Sequence, residues 1–388
     1  MSRIYLDNAA TSWPKPDVVY DAVDHYQRHC GAAAGRGAYR QAQQAQQVVT
    51  EARLSCARLL GVEKSQQIAF TSNGTDALNL AIHGLLRPGD HVVTTVCEHN
   101  SVLRPLHTQS LRHKVEVSYV DCDAAGFIDP DSFRQAFRPN TRLAIVNHAS
   151  NVTGAVQPIA EFAEVAHQRG ALLLVDAAQT AGCMQIDVEQ LGIDLLATGG
   201  HKGLLGPLGS GILYVSPGLE TQLHTLRQGG TGTQSQADSH PEEMPERLEA
   251  GNLNMPALAG LAAAANYLGQ RTVEAIHQQT AERTRQLYEG LRSIDRVHLV
   301  GPSPEQPRVG VVSCMLEGYD PQEVAAGLDA SYGIECRAGL HCAPRMHAAL
   351  GSDRAGGLIR FSPGWATTTA QIEQALEGLA ALASMPVD

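Results

Sequence analysis

Leu196-Ala-Thr-Gly-Gly-His-Lys-Gly-Leu-Leu-Gly-Pro207 sets a lysine between a histidine and a run of glycines, directly after an apolar run of strand length. Alone, such a lysine is as readily a solvated surface charge as a functional group. A stretch upstream changes the reading. Leu172-Leu-Leu-Val-Asp-Ala-Ala-Gln179 has the pattern of a buried strand and finishes in an acid. Open α/β sheets bind their ligands at the carboxyl ends of strands. Asp176 and Lys202 are therefore expected to meet at one sheet edge.

Working outward, strands are expected at 67–71, 91–96, 114–120, 142–147, 195–198 and 211–215, with helical segments between several of them, such as 159–169. That alternation predicts an α/β fold with a mostly parallel sheet covered on both faces. Ser72-Asn-Gly-Thr-Asp76 reads as a turn opening a helix over 77–86. A helix start offers free N–H groups and the positive dipole end to an anion. Most such turns only cap a helix, but beside a lysine and an acid this one is a candidate phosphate cup. A Schiff-base lysine with an aspartate for a pyridinium nitrogen is how proteins hold pyridoxal phosphate (PLP). Two further strand ends carry polar residues, Glu98-His-Asn100 and His148-Ala-Ser-Asn151. His99 alone would more often be structural; in this company it is a candidate to lie over a flat cofactor.

Before this core, Asp17 suits the cap of a helix to Tyr26, and a polar helix is expected over 39–60 with Val48, Ala52 and Leu59 on its apolar stripe. Residues 228–254 lack periodicity, and a loop of that length inside a compact domain is either disordered or functional; its glycines and threonines suit anion contact and favour function. Helices at 256–267 and 273–294 then lead to a smaller α+β region. Its strands are expected at 297–300, 310–316 and 358–362 and its helices at 321–332 and 369–383. Between them lies Gly333-Ile-Glu-Cys-Arg-Ala-Gly-Leu-His-Cys-Ala-Pro344, a loop whose Cys342 has too polar a setting to be core filler.

Composition narrows the classes. With 388 residues the chain can bury a large core as two or three domains. Its 40 acids against 29 bases leave a net charge of -11, the opposite of a nucleic-acid binder. No apolar run reaches the roughly 18 residues of a membrane span, so no membrane partner is expected. The first residues lack a signal-peptide layout, and the 8 cysteines include no C-x-x-C pair, so reduced thiols and a cytoplasmic protein are expected. No metal is expected, because the 16 histidines show no ligand spacing.

These motifs, from Tyr5-Leu-Asp-Asn-Ala-Ala-Thr11 to Ile359-Arg-Phe361, resemble the class V aminotransferases of PLP fold-type I, in particular their cysteine desulfurase and selenocysteine lyase branch. The resemblance implies a large PLP-binding domain over 16–262 and a smaller α+β domain from 1–15 and 263–388. It implies that Lys202 is the Schiff-base lysine, Asp176 the partner of the pyridine nitrogen, and Gln179 a hydrogen bond to the ring's phenolic oxygen. His99 is similar to the histidine stacked on the ring and proposed as a proton shuttle. Gly74, Thr75 and His201 resemble the phosphate contacts. Asn151 resembles the asparagine near ring oxygen and substrate carboxylate, and Arg360 the arginine clamping that carboxylate.

Cys342 falls where the desulfurases carry their nucleophile. Only the thiolate attacks; Arg337 and His341 are candidates to favour it, and Arg337 is also expected among the substrate contacts with Asn151 and Arg360. The implied reaction converts L-cysteine to L-alanine and leaves a persulfide on Cys342. The implied assembly is a homodimer sharing its active sites, with a sulfur-acceptor protein and a role such as iron–sulfur cluster assembly. Two positions depart from the pattern: Gly199 stands where a phosphate-binding Ser or Thr is common. Asn252, in Glu249-Ala-Gly-Asn252, stands where a threonine reaches the partner subunit's phosphate, a contact its amide can still donate to. The alternatives are L-selenocysteine lyase or another carbon–sulfur lyase or epimerase, in which Cys342 is not essential, and a non-catalytic scaffold, against which the intact Lys202, Asp176, His99 and Arg360 argue.

Overall fold

The computed structural model describes residues 3–35, 37–233 and 236–385. It opens with strand β1 (Ile4–Tyr5), helix α1 (Asp17–His25), continued by a π-helical turn over Tyr26–Cys30, and helix α2 (Arg40–Leu59). Asp17 is the first residue of α1 and not its cap. Pro16 takes that place with φ -57°, and the acid follows in the first turn, where the dipole favours it. The buried stripe of α2 runs through Ala45, Val49, Ala52 and Cys56; Val48 and Leu59, expected on it, are only half-buried. Small residues face inward because α2 packs closely along a later helix.

Next come β2 (Ile68–Thr71), α3 (Gly74–Leu85), β3 (His91–Thr95), α4 (Asn100–His113), β4 (Glu116–Val120), α5 (Pro130–Gln135), β5 (Thr141–Asn147), α6 (Ile159–Gln168), β6 (Leu172–Asp176), β7 (Leu195–Gly199) and β8 (Gly211–Val215). They build a seven-stranded sheet in the order β2-β8-β7-β6-β5-β3-β4. Only β8 opposes its neighbours; β7, β6, β5, β3 and β4 are successively parallel. Their side chains alternate between two hydrophobic cores. Ala144, Val146, Leu173 and Val175 enter one, and Leu143, Ile145, Leu174 and Ala197 the other. In register, Asn147 sits beside Asp176 and Asp176 beside Ala197, so the ladder itself brings the acid to the lysine turn.

Helix α7 (Met255–Arg271), capped by Asn254, packs on α1 and α2, and α8 (Val273–Arg292) leads away from the large sheet. The remaining elements are β9 (Val297–Val300), β10 (Val312–Leu316), α9 (Pro321–Tyr332), β11 (Ile334–Glu335), β12 (Arg337–Gly339), α10 (Pro344–Ala349), β13 (Leu358–Phe361) and α11 (Thr369–Ala383). Strands β12-β13-β10-β9 form an antiparallel sheet, and β1 pairs in parallel with β11. The first residues thus enter the third core, where Ile4 and Leu6 join Val312, Phe361 and Leu379. The sequence reading singles out no element for β11, β12 and α10, which are too short for a periodic signal. Among the described residues no helix is long and apolar enough to cross a membrane, and no cluster of potential metal ligands occurs.

Candidate active site

At the carboxyl edge of the large sheet, one cavity is lined by Gly74, Thr75, His99, Asn151, Asp176, Gln179, His201 and Lys202. Asp176 ends β6 and is 7% exposed, with Oδ1 accepting from the Ala178 N–H at 2.9 Å. Burial raises its pKa; that hydrogen bond and the Lys202 ammonium oppose the rise. Lys202, on the turn after β7, is lowered to about 8 by burial, against the pull of Asp176 and with Arg360 and Arg337 adding to the fall. A lysine so tuned carries a usable fraction of free amine near neutral pH.

His99 caps α4. Its Nδ1 accepts from the Ser101 N–H at 3.0 Å, which leaves the ring proton on Nε2. Ser101 Oγ lies 2.8 Å from the same nitrogen and 2.7 Å from Thr75 Oγ1, so the ring and the start of α3 share one hydrogen-bond chain. Burial first, and then the charge of Lys202, depress His99 to about 4, so the imidazole is neutral. Gly74 is the first residue of α3, where Asn73 caps by accepting from Asp76 N–H. A methyl at Gly74 would come within 3.0 Å of the Gly199 nitrogen, so the helix start rests directly on β7.

A side chain at Gly199 would meet the His201 ring at 3.1–3.2 Å, so the ring would have to give by a few tenths of an ångström to admit one. Thr198 does not substitute, since its hydroxyl donates back to Ala177 O at 3.4 Å and it does not line the cavity. Gln179 is steadied by donating to Ala9 O at 3.0 Å.

Arg360 does not line that cavity but is bonded to a residue that does: it is 2% exposed and donates to Asp7 Oδ1 at 2.6 Å and Asn151 O at 3.0 Å. Among the described residues its Nε, Asn151 Oδ1 and His201 Nδ1 are buried without a hydrogen-bond partner. Arg337 is exposed and stands directly across the β12–β13 ladder from Arg360. Cys342 is exposed, and its carbonyl accepts from the Asn100 N–H at 2.7 Å, one residue beyond His99. His341 does not support a thiolate by charge. It is 4% exposed, burial pushes it down to about 2, and its ring turns inward to His347.

Asn252 does not reach this cavity in its own chain. It is exposed beside a different cleft, where Glu249 forms a buried two-pronged pair with Arg53 at 2.8 and 2.9 Å and accepts from Phe70 N–H at 2.6 Å. That pair fixes the end of the long 228–254 loop to β2. The sequence reading also missed Asp7, Ser101 and the N-terminal anchor of the lysine turn. The His201 carbonyl accepts from Ser12 N–H at 3.1 Å, Thr11 Oγ1 at 3.1 Å and Lys15 Nζ at 2.7 Å. All but Ser101 lie in the first sixteen residues, whose many polar residues in a short non-periodic run were the available signal.

Residues 4–375 match the protein family described as aminotransferase class-V. The chain belongs to that family. A probable cysteine desulfurase of Methanothermobacter thermautotrophicus is 36% identical over 387 residues, 99% of this chain and 95% of the relative. Among solved structures, the apo cysteine desulfurase of Thermococcus onnurineus superposes with a TM-score of 0.92 at 33% identity, covering 98% of this chain and 94% of that one. The Escherichia coli cysteine desulfurase CsdA, solved as an S-sulfonic acid, gives 0.88 at 26% identity with the same coverage. The expected class V resemblance and the α/β architecture with a mostly parallel central sheet are thereby both met.

Proposed function

We propose that this class V protein is a PLP-dependent cysteine desulfurase, converting L-cysteine to L-alanine with a persulfide formed on Cys342 for transfer to an acceptor protein. The observation that carries the reading is the convergence of Lys202, Asp176 and His99 on one cavity, with the Cys342 backbone hydrogen-bonded to the residue after His99. The names of the relatives support the same activity. A cytoplasmic homodimer, in which Asn252 serves the neighbouring subunit, and a large domain over 16–262 with the remainder as small domain belong to this reading.

The residues fit PLP chemically. A phosphate suits the start of α3 at Gly74 and Thr75, next to the partnerless Nδ1 of His201. A carboxyl with a raised pKa, as at Asp176, is one that a pyridinium would return to its charged form. Bound there, PLP would supply an electron sink for charge developing at the substrate's α-carbon. The chain does the rest. Arg360 holds the substrate carboxylate, pre-oriented by Asp7, and the partnerless Oδ1 of Asn151 accepts from the substrate side. Lys202, as free amine, takes the α-proton. The Cys342 thiolate attacks the substrate sulfur; the carbon–sulfur bond breaks, a sulfur–sulfur bond forms, and protonation of the carbon fragment gives alanine.

Two variants test this. Cys342→Ala is expected to keep the visible absorbance of bound PLP and to lose sulfide release from L-cysteine, whereas Lys202→Ala loses both. Native sulfide release by Cys342→Ala would overturn the nucleophile assignment. Rates on L-cysteine, L-selenocysteine and cysteine sulfinate then fix the substrate.

A further inference from the structure

We infer that His347 and Ser352 are positioning residues for Cys342, acting through the buried ring of His341; this rests on the reading of Cys342 as nucleophile. His341 and Cys342 have φ of 49° and 56°, two consecutive non-glycine residues in the left-handed region. Side chains rarely adopt that backbone, and a pair of such residues persists only where the surroundings over-determine it.

Three supports are present. The Asn100 N–H donates to Cys342 O and the Asn151 amide to His341 O, each at 2.7 Å, which fixes the loop from the large-sheet side. From behind, the His341 and His347 rings meet edge to edge, with centroids 5.3 Å apart and planes 24° from parallel. His341 Nδ1 is 3.2 Å from His347 Nε2, and His347 Nδ1 is 2.8 Å from Ser352 Oγ. His341, His347 and Ser352 are 4%, 0% and 2% exposed. The row closes on itself, because Ser352 N–H donates to His347 O at 3.0 Å and His347 N–H to Ala343 O at 3.2 Å.

Two neutral imidazoles sharing one proton make a directional link, and losing either nitrogen leaves a buried polar atom on the other ring unpaired. The His341 ring is thereby fixed in place, and its own backbone aims Cys342. The first two supports come from the backbone next to His99 and from Asn151, which lines the cavity. The third belongs to residues that touch neither substrate nor cofactor, and the mechanism above uses neither of them.

The experiment compares His347→Phe, His347→Gln and Ser352→Ala in the PLP-loaded protein. His347→Phe keeps an aromatic ring in the buried position but removes both nitrogens. Its absorbance and the spectral change on adding L-cysteine are expected to stay native, while persulfide formation in a single turnover falls about ten- to a hundredfold, the scale of a misplaced reacting atom. His347→Gln, which can still bond His341, is expected to recover part of that loss, and Ser352→Ala to lose less than His347→Phe. In protein without cofactor, exchange of the Asn100 amide hydrogen should speed up in His347→Phe, because its acceptor is the Cys342 carbonyl. Native persulfide formation in His347→Phe overturns the inference. So does a loss of the cysteine-induced spectral change, which would make the defect general. Should Cys342→Ala still release sulfide, it is the nucleophile assignment that fails and not this support.

Discussion

Lys202 follows a strand laddered on both sides, to β6 and to β8, and its turn is further tied by the N-terminal segment through the His201 carbonyl. Cys342 instead lies between a three-residue strand and a six-residue helix, and its backbone is left-handed. The lysine side is positioned by main-chain pairing that runs through the core; the cysteine side is positioned by a few side chains reaching across. The comparison teaches that the two halves of the proposed chemistry should fail separately. A change at the sheet edge should disturb everything that depends on the cofactor, and a change at the loop only the movement of sulfur.

The strongest way to break this contrast is Asp176→Asn. Turnover on L-cysteine is expected to fall about a hundredfold or more, as when a charge-stabilising partner is removed. Alkylation of Cys342 should proceed at the native rate, and a parallel loss there would mean that the two regions are not independent. A smaller effect is expected from Gly74→Ala, whose methyl would press on the Gly199 nitrogen at 3.0 Å and the Thr198 carbonyl carbon at 3.2 Å. Helix α3 must lift off β7, and PLP should dissociate about tenfold faster by absorbance after dilution. Unchanged retention would remove this contact from the cup.

The smallest effect concerns acid, and it touches both regions. His99 and His201 on one side and His347 on the other are held near 4 by burial, from an ordinary 6.5. Between those values the unfolded chain binds more protons than the folded one, so stability rises with pH from about 4 to about 6.5 and is lost as pH falls through that window. Glu98 acts with the opposite sign. Its buried carboxyl is raised from 4.5 to about 8, so its contribution is present at low pH and fades as pH rises toward 8. Urea midpoints across pH 4 to 6.5 should climb, and His347→Phe should flatten the climb by about one proton. An equal slope in the variant would mean His347 titrates normally in the fold.

The legibility of the sequence follows the same division. Asp176 and Lys202 could be read because the first closes a continuous apolar run and the second lies on the turn just after another, and a buried parallel strand writes its period locally. Errors arose where the signal was shared with a neighbour. The stripe of α2 turned on Val49 and not Val48, because alanines facing α7 carry little apolar contrast. At α1, Pro16 displaced the acid from the cap. The loop around Cys342 showed only that it was no core segment. Its support by His347 and Ser352 is a matter of three buried side chains with no periodicity, and the Asp7–Arg360 pair joins residues 353 apart. Nothing local encodes either.

The pairing of Ile4 with Ile334 and of Asp7 with Ser362 has a consequence for biosynthesis. A ribosome makes Ile4 and Asp7 long before residues 334 and 362. The segment that carries them must therefore wait, unpaired, until those partners emerge. A nascent chain stalled after β8, which ends at Val215, has emerged but before residue 334 is made could hold the complete large sheet and still lack both the arginine and the cysteine of its proposed chemistry.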